Sequence, residues 1–152
     1  MRALECKVPP PVVTAIVAAG MWGLARVTPS FDAGRFEDML AIGFAVVGFL
    51  ISVAGVVAFR RARTTVHPMH PEKASALVTS GIYRLSRNPM YLGILLALIG
   101  WSAYLANLWS LAGPIIFVLY ISRFQIAPEE RALTALFGTI YAKYQAGVRR
   151  WL

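Results

Sequence analysis

Two stretches of this chain hold residues suited to binding charged groups. In Leu77-Val78-Thr79-Ser80-Gly81-Ile82-Tyr83-Arg84-Leu85-Ser86-Arg87-Asn88-Pro89-Met90-Tyr91-Leu92-Gly93, a polar, glycine-containing loop runs into an apolar segment. Asn88 suits an N-cap, and Pro89 suits the first helical position because it has no N–H to lose. The helix entrance would present partial positive charge, reinforced by Arg84 and Arg87, and an anionic group could dock there. Arg87 has an ordinary alternative, as a basic residue that reaches out to lipid headgroups.

The second stretch is Glu129-Glu130-Arg131-Ala132-Leu133-Thr134-Ala135-Leu136-Phe137-Gly138-Thr139-Ile140-Tyr141-Ala142-Lys143-Tyr144. Carboxylates are favoured in the first turn of a helix, which by itself explains the glutamates. Their positions add a constraint. Glu129 stands seven residues before Leu136 and Glu130 seven before Phe137, so both project from the apolar side, where a carboxylate needs a partner. His67 and His70, with Glu72 as the nearby acid and no cysteine partner, make a poor metal site, and no metal is expected.

These residues must be positioned by elements that live in lipid. The chain has 152 residues and is 58% hydrophobic, with a mean hydropathy of +0.62, too apolar for an ordinary soluble domain. The expected fold class is all-α, an integral membrane helical bundle formed as a single domain over 1–152. Its spans are predicted at about 12–27, 39–59, 90–106 and 108–126, with a tight hairpin through Asn107. A loop over 60–89 and an amphipathic helix over 129–145 complete it. That helix follows from Leu133, Leu136, Phe137, Ile140, Tyr141 and Tyr144 recurring every three or four residues. Gly48 with Gly55, and Gly93 with Gly100, each share a helix face and predict close helix packing.

The net charge of +8 does not point to nucleic acid, because the basic residues are sorted by loop rather than gathered on one surface. Arg60, Arg61, Arg63, Lys73, Arg84 and Arg87 occupy the middle loop, and Arg123, Arg131, Lys143, Arg149 and Arg150 follow the fourth span. By the positive-inside rule both termini are expected on the cytoplasmic side, in a bacterial inner membrane. Arg149, Arg150 and Trp151 are expected to anchor the end at headgroup level. The N-terminus mimics a signal peptide but reads as a retained span after Pro9-Pro10-Pro11. Cys6, the single cysteine, excludes an intrachain disulfide and reads as a juxtamembrane thiol.

In this order, the two stretches resemble the isoprenylcysteine carboxyl methyltransferase family in its short bacterial form. Phosphatidylethanolamine N-methyltransferases are similar in the same region, and the resemblance covers residues 60 to 150 or so. It implies an integral membrane enzyme that uses S-adenosylmethionine, releases S-adenosylhomocysteine and methylates a carboxylate or amine on a membrane lipid or lipidated small substrate. It implies catalytic roles for Arg87, Tyr91 and Glu130. Cofactor contacts are implied for His67, Leu77, Val78, Thr79, Gly81, Ile82, Tyr83, Arg87, Asn88, Pro89, Tyr91, Glu129 and Glu130, the glutamates being suited to the methionine ammonium and the ribose diol. Relatives that methylate prenylated cysteine carry histidine where this chain has Asn88, which leaves the acceptor open.

Two other classes share some of these features. An NADPH-dependent membrane reductase resembling sterol reductases would share an arginine-proline junction, but would need further basic and aspartate residues for the dinucleotide. A non-enzymatic membrane subunit or small transporter would need an ionisable residue within a span, and 39–59 has none. The absence of a Gly-x-Gly-x-x-Gly fingerprint argues against a Rossmann-type methyltransferase.

Overall fold

The structure, a computed structural model, describes residues 5–31, 34–62 and 76–152. It is helical throughout, with no strand among the described residues: α1 spans Pro10–Val27, α2 Arg35–Arg61, α3 Pro89–Tyr104, α4 Ala112–Ile121 and α5 Ala127–Gly147. Short turns lie at Gly81–Arg84, Leu108–Leu111 and Ser122–Ile126. Proline opens α1 and α3, and α1 stops at Thr28 because the following Pro29 disfavours helical backbone before it.

Three helical runs are long and apolar enough to cross a membrane: Pro10–Val27, Arg35–Arg61 and Leu108–Gly147. The 27 residues of α2 extend about 40 Å, more than the roughly 30 Å of hydrocarbon. The 16 residues of α3 reach only about 24 Å. α3 thus ends at Tyr104, two residues short of the expected limit, and a 3₁₀ turn at Leu108–Leu111 precedes α4. Asn107 makes the hairpin. Its side chain donates to Thr28 Oγ1 at 2.9 Å and Pro29 O at 3.0 Å, and accepts from the Ser110 N–H at 3.0 Å. One amide therefore ties the end of α1 to the turn between α3 and α4.

α2 and α3 lie against each other along small residues. A Cβ placed on Gly48 would overlap the Gly93 carbonyl, one on Gly93 would overlap the Gly48 carbonyl, and one on Gly100 would sit 2.9 Å from the Ala41 carbonyl. In lipid, apolar burial gives little drive for helix pairing, so this close backbone approach supplies the packing. The predicted glycine faces are the ones that meet. Across α1, α3, α4 and the turn after α4, Val13, Met21, Tyr91, Leu98, Phe117, Ile121 and Ile126 form the core. Trp101 Nε1 adds a hydrogen bond of 3.1 Å to the Ala18 carbonyl. Phe49, Leu50, Ile115 and Leu119 are exposed, as residues facing lipid would be.

The C-terminal region differs from a plain amphipathic helix. Helical structure continues from α4 into α5 through a π turn at Ser122–Ile126, and Gly138, at φ 50° and ψ −122°, breaks α5. Glycine is the residue that adopts this backbone without a Cβ penalty. The break lets the last turns of α5 and the tail fold back on the loop before α3.

Candidate functional site

The site forms where the loop before α3, the first turn of α5 and the C-terminal tail meet. Within the loop, Gly81 takes φ 61° and starts the 3₁₀ turn to Arg84. Val78, Ile82 and Tyr83 pack on Ala58, Phe59 and Ala62 at the end of α2, with the Tyr83 ring edge-on to Phe59 at 5.3 Å. Burial pushes the Tyr83 phenol far above its ordinary value, and the nearby Tyr144 and Glu129 add to the shift. The Tyr83 carbonyl accepts from the Tyr144 hydroxyl at 2.7 Å.

Asn88 sits at the N-cap position of α3, but its side chain makes no capping bond. That expectation is corrected. Asn88 Nδ2 donates to the Arg150 carbonyl at 2.9 Å, while the Arg87 N–H donates to the Arg149 carbonyl at 3.0 Å. The tail thus takes up donors that would otherwise stay local, and the Asn88 N–H bonds to Ser86 Oγ at 3.1 Å.

The two glutamates of α5 have different partners. Tyr91 Oη donates to Glu129 Oε1 at 2.8 Å, and Gln125 Nε2 donates to the same oxygen at 3.0 Å. Glu130 takes two hydrogen bonds from Arg150, 3.1 Å from Nε to Oε1 and 2.5 Å from Nη2 to Oε2. Arg87 Nη1 lies 3.3 Å from Glu130 Oε1, both side chains being 13% exposed. Among the described residues, Arg87 Nε and Nη1 are buried without a hydrogen-bond acceptor. The Nη1 contact to Glu130 is thus an ion pair without hydrogen-bond geometry, and the guanidinium keeps N–H groups suited to an anionic ligand. A groove of about 430 Å³ opens beside Glu130, lined also by Ala127, Arg131, Thr134 and Gln145.

Of the residues singled out from sequence, Arg87, Asn88, Tyr91, Glu129 and Glu130 come together here, with Pro89 buried at the base of α3. Tyr83 joins them through Tyr144. Val78 and Ile82 lie against α2, Leu77 is partly buried, and Thr79 and Gly81 are exposed. His67 lies outside the described residues.

Gln125, Arg149 and Arg150 were not anticipated in the site. Arg150 had been expected to anchor at headgroups with Trp151. It instead pairs with Glu130, and Trp151 packs against the core. The signal for Arg150 was its charge, which cannot say whether a headgroup or a carboxylate receives it. The signal for Gln125 was Pro128, three residues on, whose missing N–H disturbs the preceding turn.

The fold and site are those of an apolar helical bundle with acids and arginines gathered at one helix entrance, and the comparisons add methyl transfer as its chemistry. The chain belongs to the phospholipid methyltransferase family, which it matches over residues 36–140. It is 32% identical over 131 residues to a probable protein-S-isoprenylcysteine O-methyltransferase of Oryza sativa subsp. indica, covering 84% of this chain and 67% of that one. It is 33% identical over 106 residues to protein-S-isoprenylcysteine O-methyltransferase A of Arabidopsis thaliana, covering 68% of this chain and 52% of that one. A 63-residue alignment, 49% identical, covers 41% of this chain and the whole of an uncharacterized Haemophilus influenzae protein. No solved structure matches the chain significantly. This is a membrane methyltransferase, and its similarity to the isoprenylcysteine carboxyl methyltransferases extends well beyond the two motifs.

Proposed function

We propose that the protein uses S-adenosylmethionine to methylate a carboxylate or amine on a lipophilic acceptor at the cytoplasmic leaflet. The observation that carries this reading is the pairing of unlike groups at one helix entrance. Among the described residues, Glu129 is a carboxylate held only by neutral donors, and Arg87, paired with the adjacent Glu130, has buried N–H groups without hydrogen-bond acceptors.

The residues present fit the cofactor. Among the described residues no cationic side chain pairs with Glu129, so its carboxylate is left to receive the ammonium of the methionine part. Val78, Ile82 and Tyr83 offer an apolar wall for the base. When bound, S-adenosylmethionine supplies a methyl group on a positively charged sulfur. The protein's own task is alignment and exclusion of water. Arg87 is suited to holding an anionic group of the acceptor bidentately, and Glu130, with Arg150 behind it, fixes the guanidinium in place. Tyr91 is then a support for Glu129, to which its hydroxyl donates. The lipid-facing helices give a lipophilic acceptor its route, and the loop-sorted basic residues favour cytoplasmic termini.

The test is titration of the detergent-solubilised protein with S-adenosylhomocysteine and, separately, with NADPH. Binding of the first alone is expected; binding of NADPH alone defeats the proposal. Lipid extracts incubated with labelled cofactor and resolved by mass identify the acceptor and distinguish O- from N-methylation.

A further inference from the structure

The π turn between α4 and α5 has a local cause and a distant consequence. Pro128 has no N–H, so the Phe124 carbonyl four residues earlier lacks its α-helical donor. The helix widens there, and the Ala127 N–H bonds to the Ser122 carbonyl five residues back. The freed Phe124 carbonyl accepts from the Cys6 N–H at 3.0 Å. Glu5, next to it, pairs with Arg123 at 3.0 Å and also with Arg131, one arginine on each side of Pro128. The N-terminal segment therefore straps the turn from outside. Inside, the turn aims Gln125, 2% exposed, at Glu129.

We propose that Gln125 is a positioning residue for Glu129, held in register by the Glu5–Cys6 strap. This rests on the reading of Glu129 as the cofactor's carboxylate. Gln125 and Tyr91 both donate to Oε1, and among the described residues no donor bonds to Oε2. The carboxylate is therefore fixed through a single oxygen. Because both donors are neutral, they orient the group without cancelling its charge, as an arginine would. A cationic ligand meets a carboxylate already turned toward it and supplies the positive charge that its neutral partners lack.

The experiment is a double-mutant cycle on the full chain, read as S-adenosylhomocysteine affinity. Gln125→Met keeps the side chain's size and removes the donor, and it should weaken binding about tenfold. Combined with Glu129→Gln it should bind no worse than Glu129→Gln alone, because Gln125 then has no carboxylate to orient. A merely structural role would make the two effects multiply. Glu5→Gln, which loosens the strap while leaving Gln125 intact, should weaken binding about threefold and provides a milder variant if Gln125→Met does not fold. Unchanged affinity in Gln125→Met, or in Glu5→Gln where that variant stands in, overturns the proposal, as do multiplying losses in the cycle. Should Glu129→Gln itself bind as tightly as the parent, the fault lies in the cofactor reading, and this inference falls with it.

Discussion

Glu129 and Glu130 are neighbours in the chain and opposites in surroundings. The first faces the bundle, where Tyr91 and Gln125 hold it with neutral hydrogen bonds. The second faces the tail, where Arg150 and Arg87 surround it with positive charge. A helix turns about 100° per residue, so adjacent side chains meet different elements. The difference separates two tasks: a carboxylate with no cation beside it among the described residues suits a cationic ligand, and one already paired suits the anchoring of an arginine.

Substitutions on each side test that division. The largest effect is expected from Arg87→Ala, which removes the buried guanidinium and should lower turnover at least about a hundredfold, while S-adenosylhomocysteine affinity changes little. Equal losses in both would merge the two sides. Glu129→Gln keeps the shape and removes the charge, and should weaken S-adenosylhomocysteine binding about thirtyfold in a calorimetric titration. Tyr91→Phe takes away one of the two donors to Glu129 and should cost about tenfold in the same measurement. The smallest effect belongs to Arg150→Ala. Its side chain is 41% exposed, so screening limits the pair to about a threefold loss of turnover, with cofactor binding unaffected. A larger loss in cofactor binding than in turnover would show that the tail serves the Glu129 side instead.

Much of this arrangement could be read from particular residues. Pro89 marked the start of α3, and Gly48, Gly93 and Gly100 marked the faces along which α2 and α3 meet. Asn107 marked the hairpin. Each of these signals is local: a proline lacks an N–H, and a glycine lacks a Cβ, whatever surrounds it. Asn88 shows where such reasoning stops. Its place at the cap is a property of its own backbone, but its side chain turns so that Nδ2 donates to the Arg150 carbonyl 62 residues away, and Oδ1 makes no capping bond.

The sequence by itself therefore determined that this is an apolar helical bundle, where α3 begins and along which faces α2 and α3 pair. Local backbone chemistry and hydrophobic period suffice for that. Only the tertiary structure decided which arginine meets which glutamate, that the break at Gly138 returns the tail to the loop before α3, and that Gln125 turns inward beneath an N-terminal strap. Those pairings join residues far apart in the chain, and hydrogen bonds and ion pairs depend on distances that no spacing along a sequence contains.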